Sequence, residues 1–188
     1  IQSPQFDFVY NEPCLGQGSL FTYNSLTSPP PPSNLTWDFG DGTLSFLLSP
    51  SHIYATVDTF DVVLIVENPN TLCTTKVTKP LIVFPLPIAG YIVNNNCEDL
   101  PLQFNDTTSI QSGSIQSWNW NLGSLGTSTL INPVVTPTDA GIYLTSLTVT
   151  SDKGCVATVT QNATVFSKPN AAFTPDPLFG SPPLTVSF

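Results

Sequence analysis

The chain has 188 residues of which only 9% are charged, and 13 Asp and Glu against 4 Lys and no Arg leave a net charge near −9. No basic stripe exists to neutralise phosphates, which argues against nucleic acid and against docking on anionic lipid. No apolar run approaches the ~18 residues of a membrane-spanning helix, and no signal peptide opens the sequence, so any export signal is expected in a longer precursor or already removed.

Helical periodicity is nearly absent, and 19 Pro and 11 Gly interrupt every long window. Short strands with period-two alternation take its place. Pro29-Pro30-Pro31-Pro32 reads as a stiff polyproline loop. It precedes a strand through Trp37-Asp38-Phe39, which Gly40-Asp41-Gly42 ends abruptly, because Gly tolerates positive φ and Asp bonds its own turn. Phe60 to Val66 reads as a strand and Thr74 to Phe84 as a closing strand, followed by the joint Pro85-Leu86-Pro87. Further on, Trp118-Asn119-Trp120-Asn121-Leu122 alternates large apolar residues with amides, so both tryptophans and Leu122 should face a core. Tyr143 to Val149 and Ala157 to Phe166 read as strands before a second joint, Ser167-Lys168-Pro169. Short strands at about 8–12-residue spacing with turn signals between them indicate a β-sandwich.

The segments repeat. Trp120 lies 83 positions after Trp37, and the same offset takes Cys14 to Cys97, Phe21 to Phe104 and Pro50 to Pro133, while Cys73 reaches Cys155 with a slip of one. Two tandem copies of a small domain follow, expected at residues 4–86 and 87–169. Residues 1–3 are expected to end a preceding repeat. Ala171-Ala172-Phe173 restarts the pattern, so residues 170–188 are expected to begin a truncated third, and both ends to be cuts in a longer array. Joints bearing proline act as semi-rigid spacers, which favours an extended rod.

Each copy is small enough to be marginal without a staple. The cysteines fall two per copy, Cys14 with Cys73 and Cys97 with Cys155, and read as one disulfide within each domain in an oxidising compartment. A bridge closing a loop of about 58 residues would contribute roughly 4 kcal/mol.

No catalytic constellation is expected. His52 is the only histidine, its counterpart is Val135, and it is expected to bond a loop backbone. Asp38 and Asp41 could be paired carboxylates, but they flank a tight turn and correspond to Asn121 and Ser124, so capping of backbone donors is the expected role. No cofactor is expected. Calcium is the minor alternative, since oxygen-rich loops can hold it: Asp106 and Asp139 are its candidate ligands, although with Glu98 and Asp99 they show no EF-hand spacing. Exposed aromatics could bind glycans, but Trp37, Trp118 and Trp120 all fall on inward positions.

Trp37-Asp38-Phe39-Gly40-Asp41-Gly42, then Pro50-Ser51-His52-Ile53-Tyr54, then Phe60 to Leu64, closely resembles the PKD domain. The second copy keeps Trp120, Gly123, Pro133 and Ala140-Gly141-Ile142-Tyr143. The resemblance implies all-β architecture: tandem Ig-like sandwiches of about seven strands each, in which these residues, His52 included, are a fold motif. Tandem units of this kind, with their cysteines, are similar to the large surface adhesins of Bacteroidota, of the SprB gliding type exported by type IX secretion. That implies a non-catalytic, semi-rigid stalk at the cell surface, outer-membrane-attached in a Gram-negative bacterium. Its partners would be neighbouring repeats of the same chain, surface glycans or other surface and secretion proteins. The alternatives are an accessory module pair of a secreted hydrolase and a glycan-binding module.

Overall fold

β-Branched and aromatic residues at every second position, with Gly and Pro between the runs, leave the chain one way to bury its apolar faces: sheet against sheet. A computed structural model describes residues 6–26, 34–67 and 72–172. The polyproline run, residues 1–3 and nearly all of the expected third repeat lie outside the described residues.

The first module holds seven strands, β1 (Phe6–Tyr10), β2 (Gly18–Ser25), β3 (Asn34–Asp38), β4 (Leu44–Ser45), β5 (Ser51–Ile53), β6 (Thr59–Glu67) and β7 (Thr74–Ile82). They form a three-stranded sheet, β1-β2-β5, and a four-stranded sheet, β4-β3-β6-β7. The second module holds β8 (Tyr91–Asn94), β9 (Asn96–Cys97), β10 (Leu102–Asp106), β11 (Ile115–Asn121), β12 (Thr127–Ser128), β13 (Val134–Val135), β14 (Gly141–Ser151) and β15 (Val156–Phe166). Its sheets run β13-β10-β8 and β12-β11-β14-β15-β9. The one helical element among the described residues is a single 3₁₀ turn, Gly123–Leu125. The architecture is all-β, two Ig-like sandwiches in tandem.

Each sandwich closes on its own core. In the first, Phe8, Phe21, Trp37, Tyr54, Val62, Leu64 and Leu81 are buried together; in the second, Tyr91, Leu102, Phe104, Trp120, Leu122, Leu147 and Val149. Along β6 the inward Val62, Leu64 and Val66 alternate with less buried neighbours, the pattern a strand with one core face must show. The aromatic packing repeats in detail. Phe8 meets Trp37 edge-on at 5.1 Å and Tyr91 meets Trp120 edge-on at 5.0 Å, while Phe21–Trp37 and Phe104–Trp120 lie tilted at 5.5 and 5.6 Å. Both indoles are fully buried and must place their N–H: Trp37 Nε1 donates to the Leu47 carbonyl at 2.9 Å and Trp120 Nε1 to the Leu130 carbonyl at 2.8 Å.

One matched pair of core positions differs. Phe8 and Val62 of the first module correspond to Tyr91 and Thr145 of the second. The buried Tyr91 hydroxyl lies 2.7 Å from Thr145 Oγ1 and 2.9 Å from the Thr145 carbonyl, and Thr145 Oγ1 donates to the Gln161 carbonyl at 3.0 Å. The hydroxyls are tolerated because each reaches a backbone carbonyl, and their mutual contact couples them. Installing the first module's pair should therefore show coupling. Tyr91→Phe and Thr145→Val are each expected to cost about 1 kcal/mol. The double variant should cost less than their sum, as read in a chemical-denaturation double-mutant cycle.

Candidate functional site

The acidic hexapeptide forms a closed turn. Asp38 Oδ1 accepts from the Gly40 amide at 3.0 Å, and Asp41 Oδ1 accepts from the Thr43 amide at 3.0 Å and the Thr43 hydroxyl at 2.6 Å. Gly40 has φ +80°, and a Cβ there would stand 2.8 Å from the Asp61 carbonyl oxygen, so only glycine fits. His52 departs from expectation. Its Nε2 bonds the Asp41 carboxylate at 2.6 Å, with Thr43 Oγ1 at 3.3 Å, in place of a loop backbone group. A carboxylate is the stronger acceptor, and the turn aims Asp41 at β5. The imidazole stacks on Phe39 with centroids 4.2 Å apart and meets Tyr54 edge-on at 4.6 Å; Tyr54 Oη donates to the Phe39 carbonyl at 3.1 Å. Burial raises the Asp41 pKa, but the hydrogen bonds from Thr43 and His52 outweigh it and hold the carboxyl below its ordinary value.

The Thr43 hydroxyl, which lies within hydrogen-bond distance of His52, is tied to Asp41 together with the Thr43 amide. Tyr54 is fully buried, and burial pushes its phenol well above the ordinary range. The second module builds the same turn without the Asp–His pair: Asn121 Oδ1 accepts from the Gly123 amide at 3.0 Å, and the 3₁₀ turn Gly123–Leu125 replaces Asp41-Gly42. The acidic turn is a fastening between β3 and β5.

The other candidates are engaged in holding loops. Asp106 accepts from Trp118 Nε1 at 2.8 Å and from the Thr108 amide at 3.0 Å; Asp139 accepts from the Thr138 hydroxyl at 3.0 Å. Among the described residues no group of three or more His, Cys, Asp or Glu side chains could hold a metal ion. Trp37 and Trp120 are fully buried and Trp118 is half-buried against the second core.

The cysteines carry the main correction. The structure joins Cys14 to Cys155, across the two modules, with Cα atoms 5.7 Å apart. Bonds within each module are ruled out by strand length. Cys14 lies beside Phe84, beyond the end of β7, whereas Cys73 immediately precedes the start of β7. At ~3.3 Å rise per residue, the two ends of that strand stand roughly 30 Å apart, against the ~7 Å limit for a disulfide. Cys97 beside Phe166 and Cys155 before Val156 are separated in the same way by β15. In each copy one cysteine sits in the turn opening the last strand and the other near the first strand, and only the tertiary pairing with Phe84 and Phe166 shows how far apart they lie.

The bond closes a junction that has further contacts. Lys153, in the turn between β14 and β15, places its ammonium 5.4 Å from the Phe84 ring centroid. A cleft of about 260 Å³ lies between the modules, lined by Asp58, Ile82, Phe84 and Pro85 on one side and Gly113 and Lys153 on the other. The Phe84 amide donates to the Pro13 carbonyl at 2.9 Å and the Leu15 amide to the Phe84 carbonyl at 2.8 Å, so the exit of β7 is clamped beside Cys14. None of these partners could be read from local sequence.

The fold and junction define a class: Ig-like sandwich modules in tandem, linked covalently at the joint. The chain belongs to the PKD domain family, whose model matches residues 2–83 and again residues 86–166. Among solved structures it is similar to the PKD1 domain of Vibrio anguillarum Epp, with 29% identity over 44% of this chain and 96% of that one and a TM-score of 0.41. It is similar also to the PKD1 domain of the Vibrio cholerae metalloprotease PrtV, with 36% identity over 43% of this chain and 96% of that one and a TM-score of 0.39. A titin I-band fragment, I67–I69, matches at 12% identity over 89% of this chain and 67% of that one, with a TM-score of 0.45. No curated protein matches the chain. PKD domains are commonly non-catalytic modules of secreted or surface proteins. Among the described residues no helix is long and apolar enough to cross a membrane.

Two outcomes are expected. Because the Asp41 pKa is lowered in the folded state, its stabilisation is complete above the ordinary carboxylate value, about 4, and is lost as pH falls through the folded value. Asp41→Asn should cost the first module about 1–2 kcal/mol at neutral pH and flatten the acid limb of its stability profile, as followed by denaturant titration between pH 2 and 7. The Cys14–Cys155 bond should act on both modules, since unfolding either one against its folded neighbour opens a loop closed at both ends. Cys14→Ser is then expected to lower the second module's stability by about 2–4 kcal/mol, although the change lies in the first. Hydrogen exchange of the β14–β15 amides reads this directly, and unchanged protection there would count against it.

Proposed function

We propose that residues 4–86 and 87–169 are two stalk modules of a secreted, cell-surface filamentous adhesin, and that they hold an adhesive element away from the cell without catalysis. The observation that carries this reading is the Cys14–Cys155 bond across the joint. A flexible tether would gain nothing from such a bond, whereas a spacer that must keep its modules in line under load gains resistance to bending at its weakest point. The proline-bearing joint Pro85-Leu86-Pro87 supports the same reading. So does the low charge, which suits a surface meant to project without sticking. Gliding motility and export by type IX secretion are the settings proposed for such a stalk.

In-frame removal of residues 4–169 from the native protein tests this reading. Electron micrographs of the cell surface should then show a projection shorter by two modules, with secretion intact. A projection of unchanged length, or loss of a catalytic activity in place of reach, would overturn it.

A further inference from the structure

Cys97 occupies in the second module the place that Cys14 occupies in the first. Cys14 forms a parallel bridge with Phe84, and Cys97 pairs in parallel with Phe166. The amide after Cys14, that of Leu15, donates to the Phe84 carbonyl at 2.8 Å, and the amide after Cys97, that of Glu98, donates to the Phe166 carbonyl at 2.9 Å. The chain leaving β15 is held against the same spot, the Lys168 amide donating to Glu98 Oε1 at 3.1 Å and the Lys168 ammonium pairing with Asp99. Cys97 is half-buried and outside the disulfide. It stands at the end of the module away from Cys155, where the chain runs on into residues 170–172 and the Ala171-Ala172-Phe173 restart.

We propose that Cys97 is the attachment point for the next module: its thiol forms a disulfide with the cysteine in the turn opening that module's last long strand, the counterpart of Cys155. The second, independent observation is the Cys14–Cys155 bond itself, in which the same backbone setting is already joined to the same kind of turn. Two S–H bonds break and one S–S bond forms between Cys97 Sγ and its partner. The two electrons and two protons pass to a disulfide of the thiol–disulfide exchange class, which is reduced to a dithiol. The succession is not carried on from the matching place, because residues 170–188, where the counterpart of Cys97 falls, contain no cysteine. The following module can receive a bond from Cys97 but cannot pass one on from that position. This inference depends on the stalk reading only in requiring a further module, not in what the stalk carries.

The test is peptide mapping of the native full-length protein, alkylated without reductant. The Cys97 peptide is expected joined to one from the module after residue 169, and Cys97→Ser should expose one new alkylatable thiol in that module. Three results overturn the proposal: Cys97 alkylated while Cys14–Cys155 stays bonded, Cys97 joined to Cys73, or no module following residue 188. Each can occur whether or not the projection shortens in the deletion above, so failure of the bond and failure of the stalk remain separable.

Discussion

A buried indole that must find a carbonyl for its N–H organises each sandwich. Trp37 and Trp120 are each fully enclosed, and an unpaired N–H there would cost about 1–3 kcal/mol. Each reaches the segment ten residues ahead, at Leu47 and Leu130, and so fixes how the chain returns after the central strand. That return sets the next crossing: the Phe21 amide donates to the Pro50 carbonyl at 2.9 Å, and the Phe104 amide to the Pro133 carbonyl at 3.0 Å. One hydrogen bond per module thus ties the two sheets into one packing arrangement.

Around that constraint the modules diverge only where a substitute exists. The glycine ending the central strand is retained because backbone stands against it in both copies, Asp61 against Gly40 and Leu144 against Gly123. The hydrogen bond between Asp41 and His52 is not retained, since a 3₁₀ turn performs the same reversal. The apolar pair Phe8 and Val62 gives way to Tyr91 and Thr145, whose hydroxyls lie in hydrogen-bond contact and each also reach a backbone carbonyl, those of Thr145 and Gln161. Retention follows sterics and hydrogen-bond accounting.

The junction is where the two modules cease to be independent. A bond within a module would have stabilised that module alone. The Cys14–Cys155 bond makes the stability of each depend on the other and restrains bending at the joint, with Lys153 on Phe84 adding a weaker contact. In the stalk reading, load passes between modules by two covalent routes, the proline joint and the disulfide. The module pair, not the single sandwich, becomes the mechanical unit.

Sequence by itself determined the all-β class, the 83-residue repeat, the inward tryptophans and the turn at Gly40, because these depend on period-two alternation, on φ and on residues close along the chain. The His52 partner was not legible, since it depends on where β5 lies relative to a turn eleven residues earlier. Nor was the cysteine pairing. Counting assigned two cysteines to each copy, but which two meet depends on distance in space, and a nine-residue strand holds Cys14 and Cys73 at opposite ends of one sandwich. Only the tertiary arrangement brings Cys14 to the next module's turn, because sequence records order along the chain whereas a disulfide requires Cα atoms within about 7 Å.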